Sequence, residues 1–300
     1  MSPTAAQRCA PPAQPSPPSS WTCQSGPRTP AQSALRPADP GPRFDPSVPH
    51  AARVYAYWLG GKDHYPADRE AAEEVIRFRP QVVAGARANR AFLARVVHYL
   101  AGEAGIRQFL DIGTGIPSAN NTHEVAQATA PGCRVVYVDN DPVVLAHARA
   151  LLNTPEGTTT DYIDADLRDT GTILDQAART LDFSQPVAVM LIAILHVIGD
   201  DDDPYGIVAK LIDAVPPGSC LALSHIASDI EPEKAEKVRG RLNQLMYQKS
   251  TYRSHAEVTH FFAGLELIEP GVVPVQEWRP GTEIEAKTPS AIWGGVGRKP

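Results

Sequence analysis

Five short strand-like runs recur along the middle of the chain, at 109–112, 134–138, 160–164, 187–194 and 219–225. Each is followed by a segment whose apolar residues return every three or four positions, at 122–130, 142–152, 170–181, 204–214 and 232–247. Strands that are largely apolar, alternating with helices of about ten residues, predict a mostly parallel sheet covered on both faces. The expected fold class is therefore a doubly wound α/β domain. Helical spacing also precedes the first strand, at 51–59, 69–78 and 82–100, with Gly60-Gly61 ending the first of these segments and Pro80 separating the other two. Residues 1–43 are rich in Pro, Ala, Ser and Gln and have no apolar period, so too little surface can be buried to offset chain entropy; an unfolded extension is expected. The chain thus divides into a tail at 1–43, a helical region at 44–105 and a sheet domain at 106–300.

The first strand breaks into Asp111-Ile112-Gly113-Thr114-Gly115. Glycine accepts positive φ and lets backbone N–H groups approach a ligand that a side chain would hold off. Ser118 and Asn120 are candidate caps for the helix that follows. In doubly wound folds ligands sit beyond the carboxyl ends of the strands, so the residues there carry the chemistry. Asp139, with Asn140, follows the second strand and is placed to accept hydrogen bonds from ribose hydroxyls. Asp166, with Leu167, follows the third and is placed beside an adenine amine. An aspartate at a strand end is by itself more often a turn or cap residue; three consecutive strand ends of this kind point to a nucleoside. The dinucleotide fingerprint needs a third glycine for its pyrophosphate, yet Ile116-Pro117-Ser118 follow Gly115. An acid ahead of the glycines suits an ammonium group, which S-adenosylmethionine has and NAD lacks.

Composition narrows the partners. The formal net charge of −6 leaves no basic footprint for nucleic acid, and a hydrophobic fraction of 43% supports a substantial core, so a small-molecule substrate is expected. The longest apolar run, from Val187 to Leu195, is far below the roughly 18 residues of a membrane helix. Neither a signal peptide nor membrane association is expected, and the compartment indicated is the cytoplasm. Cys9, Cys23, Cys133 and Cys220 have no CxxC spacing, which argues against a zinc site or a disulfide framework. The run from Asp200 to Asp203 before Pro204 reads as negative charge at a helix N-terminus rather than a metal site.

Several separated motifs resemble the actinobacterial S-adenosyl methyltransferase family. They are Ser47-Val48-Pro49-His50-Ala51-Ala52-Arg53-Val54-Tyr55-Ala56-Tyr57-Trp58-Leu59-Gly60-Gly61-Lys62-Asp63 with Asp68-Arg69, then Asp111 to Pro117, Asn121 to Ala126, Val138-Asp139-Asn140-Asp141-Pro142 and Asp166-Leu167-Arg168-Asp169. The resemblance implies a class I methyltransferase fold, a Rossmann-like sheet of seven strands whose last two, here about 265–273 and 290–298, form an antiparallel hairpin. It implies that Asp111, Gly113 and Gly115 line the methionine part of S-adenosylmethionine, Asp139 the ribose and Asp166 the adenine. Arg53, Tyr57 and Lys62 lie on or just after the first helix and are placed to close over the cofactor as a lid, Arg53 or Lys62 meeting its carboxylate. The bland alternative makes the aromatics core residues and Lys62 a solvated helix-end charge.

On the acceptor side the fourth strand ends Ala193-Ile194-Leu195-His196, without the Asn-Pro-Pro-Tyr motif of amino methyltransferases. O-methylation is slightly favoured. His196, with an ordinary pKa near 6.5, is the candidate general base, weighed against a packed or capping role. His123 and His225 are further pocket candidates that core packing would equally explain. The expected activity is methyl transfer from S-adenosylmethionine; the rivals are a non-catalytic, regulatory binder of S-adenosylmethionine and an NAD-linked oxidoreductase.

Overall fold

The structure is a computed structural model that describes residues 45–151 and 160–300. The predicted tail at 1–43 and the last residue of the helix expected at 142–152 lie outside the described residues. The strands form one sheet in the order β3-β2-β1-β4-β5-β8-β6, with β7 also paired to β8. They are β1 Gln108–Ile112, β2 Arg134–Asp139, β3 Thr160–Asp164, β4 Ala188–Ile192, β5 Cys220–Ile226, β6 Glu266–Leu267, β7 Val273–Pro274 and β8 Ile292–Arg298. Pairing is parallel from β3 through β5, and β8 runs antiparallel to β5. The penultimate strand expected at 265–273 is split: β6 meets the Arg298 end of β8 and β7 the Trp293–Gly294 end. The sixth of the seven expected strands is therefore two short pieces on one partner, the seventh.

Alternation along the strands divides the core in two. Leu110, Ile112, Val136, Val138, Val189, Leu191, Leu221 and Leu223 face α6 Thr170–Ala177, α7 Pro204–Asp213 and α9 His255–His260. Phe109, Val135, Tyr137, Ala188, Met190, Ala222 and Val296 face α3 Val82–Gly102 and α4 Thr122–Thr129. Asp111 and Asp139 share the parity of this second face, so both carboxylates emerge on the side covered by the N-terminal helices. Two of these precede α3, namely α1 Ala51–Trp58 and α2 Pro66–Phe78. The other helices are α5 Pro142–Leu151, α8 Pro232–Leu245 and the short α10 Glu283–Ala286. α4 begins at Thr122 as expected, but its N-cap is Asn121 rather than Ser118 or Asn120: Glu124 accepts from Asn121 N–H at 2.9 Å, while Asn120 takes a φ of +61°.

Three of the four aspartates at 200–203 are spent on protein contacts. Asp200 pairs with Arg253, Asp202 with Arg168, and Asp203 accepts from Gly206 N–H as the N-cap of α7. Among the described residues no helix is long and apolar enough to cross a membrane.

Candidate active site

The switch in strand order falls at β1, flanked by β2 on one side and β4 on the other, and the crevice at their carboxyl ends is the expected ligand site. The glycine turn lies there under tight constraint. Gly113 has φ +75° and donates its N–H to Val138 O at 2.8 Å; a Cβ at this position would come within 2.4 Å of the Ile194 side chain. Gly115, at φ +65°, donates to Asp139 Oδ2 at 2.8 Å, and Asp139 Oδ1 accepts from Asp141 N–H at 2.9 Å. Asp139 thus shapes the turn while keeping a lone pair on each oxygen for a further donor. Asp111 is buried, and Thr122 Oγ1 donates to its Oδ2 at 2.5 Å. Burial raises its carboxyl to about 6, against the opposing effects of the Thr122 hydrogen bond and the Arg90 charge, with Asp139 adding to the rise. Burial likewise raises Asp139. Two buried carboxylates on one wall thus call for a cationic or strongly donating partner.

α1 covers this turn. The Ala52 methyl is 4.0 Å from where a Gly115 Cβ would stand. His50 Nδ1 lies 2.6 Å from Asp141 Oδ2, a contact that needs the proton on Nδ1; the 3.4 Å approach of Ala52 N–H to the same nitrogen is then only a packing contact. Burial alone would raise the Asp141 carboxyl, but the hydrogen bond and charge of His50 and the Arg53 charge outweigh it and hold it below its ordinary value.

The face of α1 that meets the cavity differs from the expected one. Arg53 is buried on the other face, where its Nε donates to Asp68 Oδ2 at 2.9 Å, Nη2 to Val48 O at 2.9 Å, and Nη1 lies 3.5 Å from Asp141 Oδ2. It holds α1 to α2 and to the loop after β2. Tyr57 donates to Glu73 and packs edge-on against His64, and Lys62 is exposed beyond the helix. None of the three lines the cavity; His50, Ala51, Ala52, Val54, Tyr55 and Trp58 do. Residues 53 and 57 are one turn apart and share the face turned away from the cavity, whereas 51, 55 and 58 share the face turned toward it.

The structure brings Asp111, Gly113, Gly115, Asp139, Asn140 and His196 to the wall of one cavity of about 330 Å³, within the range of small-molecule sites. It leaves Asp166 and Leu167 outside that wall. Asp166 accepts from Asn140 Nδ2 at 3.0 Å and pairs with Arg168 at 3.1 Å, and Leu167 is buried in the core beneath. Away from the glycines the cavity is mainly apolar, walled by Trp58, Val75, Leu93, Val238, Leu242 and Met246. His196 lies in a 3-10 turn, Leu195–Val197, and its Nδ1 is buried with no hydrogen-bond partner among the described residues. Burial and the nearby Arg253 charge lower its pKa to about 4, so the ring is neutral and a far weaker base than a free histidine. His225 is a satisfied core residue: Nδ1 donates to Ile226 O and Nε2 accepts from Arg253. His123 sits against the Tyr137 hydroxyl at 2.8 Å, away from the cavity wall.

Tyr55, Asn89, Arg90 and Ser224 escaped the sequence reading. Ser224 Oγ donates to Asn89 Oδ1 at 2.7 Å, Asn89 Nδ2 donates to Tyr55 Oη at 3.0 Å, and Tyr55 Oη donates to Ala86 O at 3.0 Å. This chain of bonds joins α1 and α3 to the end of β5, where Ser224 Oγ also accepts from Ala193 N–H. Arg90 donates to Ala119 O and Asn120 O in the loop after the glycine turn. The available signal was Asn89, a polar residue on a helix face whose other buried positions are apolar or glycine.

The sequence profile of the S-adenosyl methyltransferase family matches residues 37–300. The chain belongs to the S-adenosyl methyltransferase family. Two solved structures of the same fold are close to this family member. A DUF574-family protein from Streptomyces avermitilis is 45% identical, covering 85% of this chain and 99% of its own, with a TM-score of 0.82. A candidate methyltransferase from Thermobifida fusca is 40% identical, covering 87% and 98%, with a TM-score of 0.80. No curated protein matches the chain. The chain is thus a class I methyltransferase that uses S-adenosylmethionine, and the donor set fits that cofactor. Asp111, raised by burial and without a cation bonded to it among the described residues, is complementary to an ammonium, and Asp139 retains lone pairs for hydroxyl donors.

Proposed function

We propose that the enzyme methylates a hydroxyl oxygen on a largely apolar small molecule bound in the chamber beyond the glycine turn. The observation that carries this is the continuity of the cavity: its wall runs from Asp111, Gly113 and Gly115 past His196 to Leu93, Val238, Leu242 and Met246. In this reading Asp111 holds the cofactor's ammonium, Arg90 its carboxylate and Asp139 its ribose, while residues 45–105 form the cover, with α1 contributing His50 and Tyr55 rather than Arg53 and Lys62. Asp166 reaches the adenine end only through its bond to Asn140.

When bound, S-adenosylmethionine supplies a methyl carbon whose bond to sulfur breaks as its bond to the acceptor oxygen forms, the electron pair remaining on sulfur. The protein's contribution is to hold the acceptor oxygen in line and to keep water out, so orientation carries much of the rate. The His196 imidazole, at the cavity wall, accepts the hydroxyl proton. A base of pKa about 4 removes little from a resting alcohol, but an oxygen that has gained a methyl group is strongly acidic, and a weak base then suffices. Phenols and enols are favoured on the same ground.

Incubation with a metabolite extract and trideuteromethyl-labelled cofactor tests this. Formation of S-adenosylhomocysteine together with labelled methyl ethers is expected, and His196→Ala should lower the rate on the order of a hundredfold. Label on nitrogen would overturn the oxygen preference. Tight cofactor binding with no turnover in any extract would make the protein a non-catalytic binder.

A further inference from the structure

The acceptor end of the cavity contains a buried cation that its protein neighbours leave underused. Arg79 closes α2 as its C-cap and is only 7% exposed, yet it lines the cavity beside the apolar side chains of Val75, Val82, Val238 and Met246. A guanidinium has five N–H donors. Among the described residues the Arg79 side chain makes one hydrogen bond, from Nη2 to Glu231 Oε2 at 2.8 Å; Nε and Nη1 have no partner. Glu231 is itself shared, since Lys234 Nζ lies 2.5 Å from its other oxygen. The three side chains carry one net positive charge. Tyr252, on the same wall, makes no side-chain hydrogen bond to a described residue. Burial raises its hydroxyl to about 12 despite the Arg79 and Arg239 charges, so it stays protonated and available as a donor.

A partly paired guanidinium in an apolar wall is costly unless an anion completes it. The cofactor is anchored elsewhere. Its proposed carboxylate partner, Arg90, bonds the loop after the glycine turn, whereas Arg79 bonds the head of α8. We propose that the methyl acceptor carries a carboxylate in addition to its hydroxyl and apolar body, and that Arg79, assisted by the Tyr252 hydroxyl, binds that carboxylate. This inference rests on the reading of the chamber as the acceptor site. Planar carboxylate geometry suits the guanidinium fork, of which Glu231 takes a single N–H.

Calorimetric titration of the full-length protein saturated with S-adenosylhomocysteine tests the idea. The probes are 3-phenylpropionate, indole-3-acetate and decanoate, each against its matched primary alcohol. At least one acid should bind about tenfold or more tightly than its alcohol. Arg79→Met should abolish that preference, Tyr252→Phe should reduce it several-fold, and Glu231→Gln, which removes the competing carboxylate, should strengthen it. All three variants should keep the wild-type Kd for S-adenosylhomocysteine, which also certifies that they are folded; if Arg79→Met fails that check, Arg79→Lys and Glu231→Gln decide. Binding of none of the acids, equal binding of acids and alcohols, or an unchanged preference after Arg79 is replaced would each overturn the proposal. Failure of the wild type to bind S-adenosylhomocysteine would instead overturn the placement of the cofactor, a separate result.

Discussion

At the scale of single residues the site depends on a few groups held in costly states. Asp111 is the clearest. Its carboxyl is raised to about 6 by burial, and the charges around it are Asp139, which raises it, and Arg90, which lowers it. A cofactor ammonium favours the ionised form, so binding should draw on the deprotonated carboxylate. Affinity for S-adenosylmethionine is expected to be flat above about pH 6 and to fall by up to tenfold per unit below it. Asp111→Asn should be weaker at pH 7.5 and lose that slope; calorimetry at pH 5, 6 and 7.5 reads both, and a wild-type affinity independent of pH would refute the role. Gly113 is constrained differently. A methyl group there meets the branched base of Ile194 at 2.4–2.6 Å, and φ is +75°. Gly113→Ala should therefore lower stability by about 2–4 kcal/mol in urea unfolding, through overpacking and strain together. A loss under about 1 kcal/mol would mean that the turn is looser than the structure shows.

At the scale of elements, α1 uses both faces: Arg53 on one reaches Asp68 and Asp141, and the other meets the cavity and the cofactor turn. Tyr55 carries the buried chain of hydrogen bonds through Asn89 to Ser224, and His50 meets Asp141. Tyr55→Phe leaves the Asn89 amide without its acceptor, a loss on the order of 1–3 kcal/mol. It should weaken the cofactor-induced rise in melting temperature, because α1 then rests less firmly on Gly115. Tyr57→Phe and Lys62→Ala remove an exposed bond and an exposed charge and should leave that rise unchanged. Equal effects at positions 55 and 57 would show that α1 acts by general stability alone. Arg53→Met, which strands Asp68 without its cation, should destabilise the fold itself by about 3–5 kcal/mol.

For the molecule as a whole, acid sensitivity follows from which buried groups titrate. Burial lowers His196 to about 4 and His225 to about 3, with neighbouring charges adding to the fall. Unfolded histidine takes up a proton near 6.5, so between 6.5 and 4 the unfolded chain binds more protons and stability is lost as pH falls. Asp111, raised to about 6, acts the other way between 6 and 3.8, and Asp139 acts in the same sense. The two histidines outweigh the acids. Unfolding free energy should thus drop by about 2–4 kcal/mol from pH 7 to pH 4.5. His225→Gln should be less stable at pH 7 yet show a shallower slope. Urea unfolding across this range checks it, and a wild-type stability that rises on acidification would contradict the assignment of neutral buried histidines.

The sequence by itself determined the parallel core, the glycine turn and the acids at the ends of β1 and β2. Strands buried on both faces must be apolar throughout, and a turn that presents backbone N–H groups must dispense with side chains; both demands are local and are written in consecutive residues. Pro80 marked the break between α2 and α3 for the same reason. Tertiary structure decided what depends on neighbours distant in the chain. Arg53 and Tyr57 read as ligand residues because a basic, aromatic helix looks alike from every side, and only the packing of α2 against one face turned them inward to Asp68 and outward to Glu73. His196 read as an ordinary base because its pKa is set by burial and by Arg253, which arrives from another loop. Arg79 and Glu231 are 152 residues apart, and nothing in either segment announces the other. Spacing records which residues share an element, whereas charge, basicity and access to a cavity are properties of whatever the fold packs beside them.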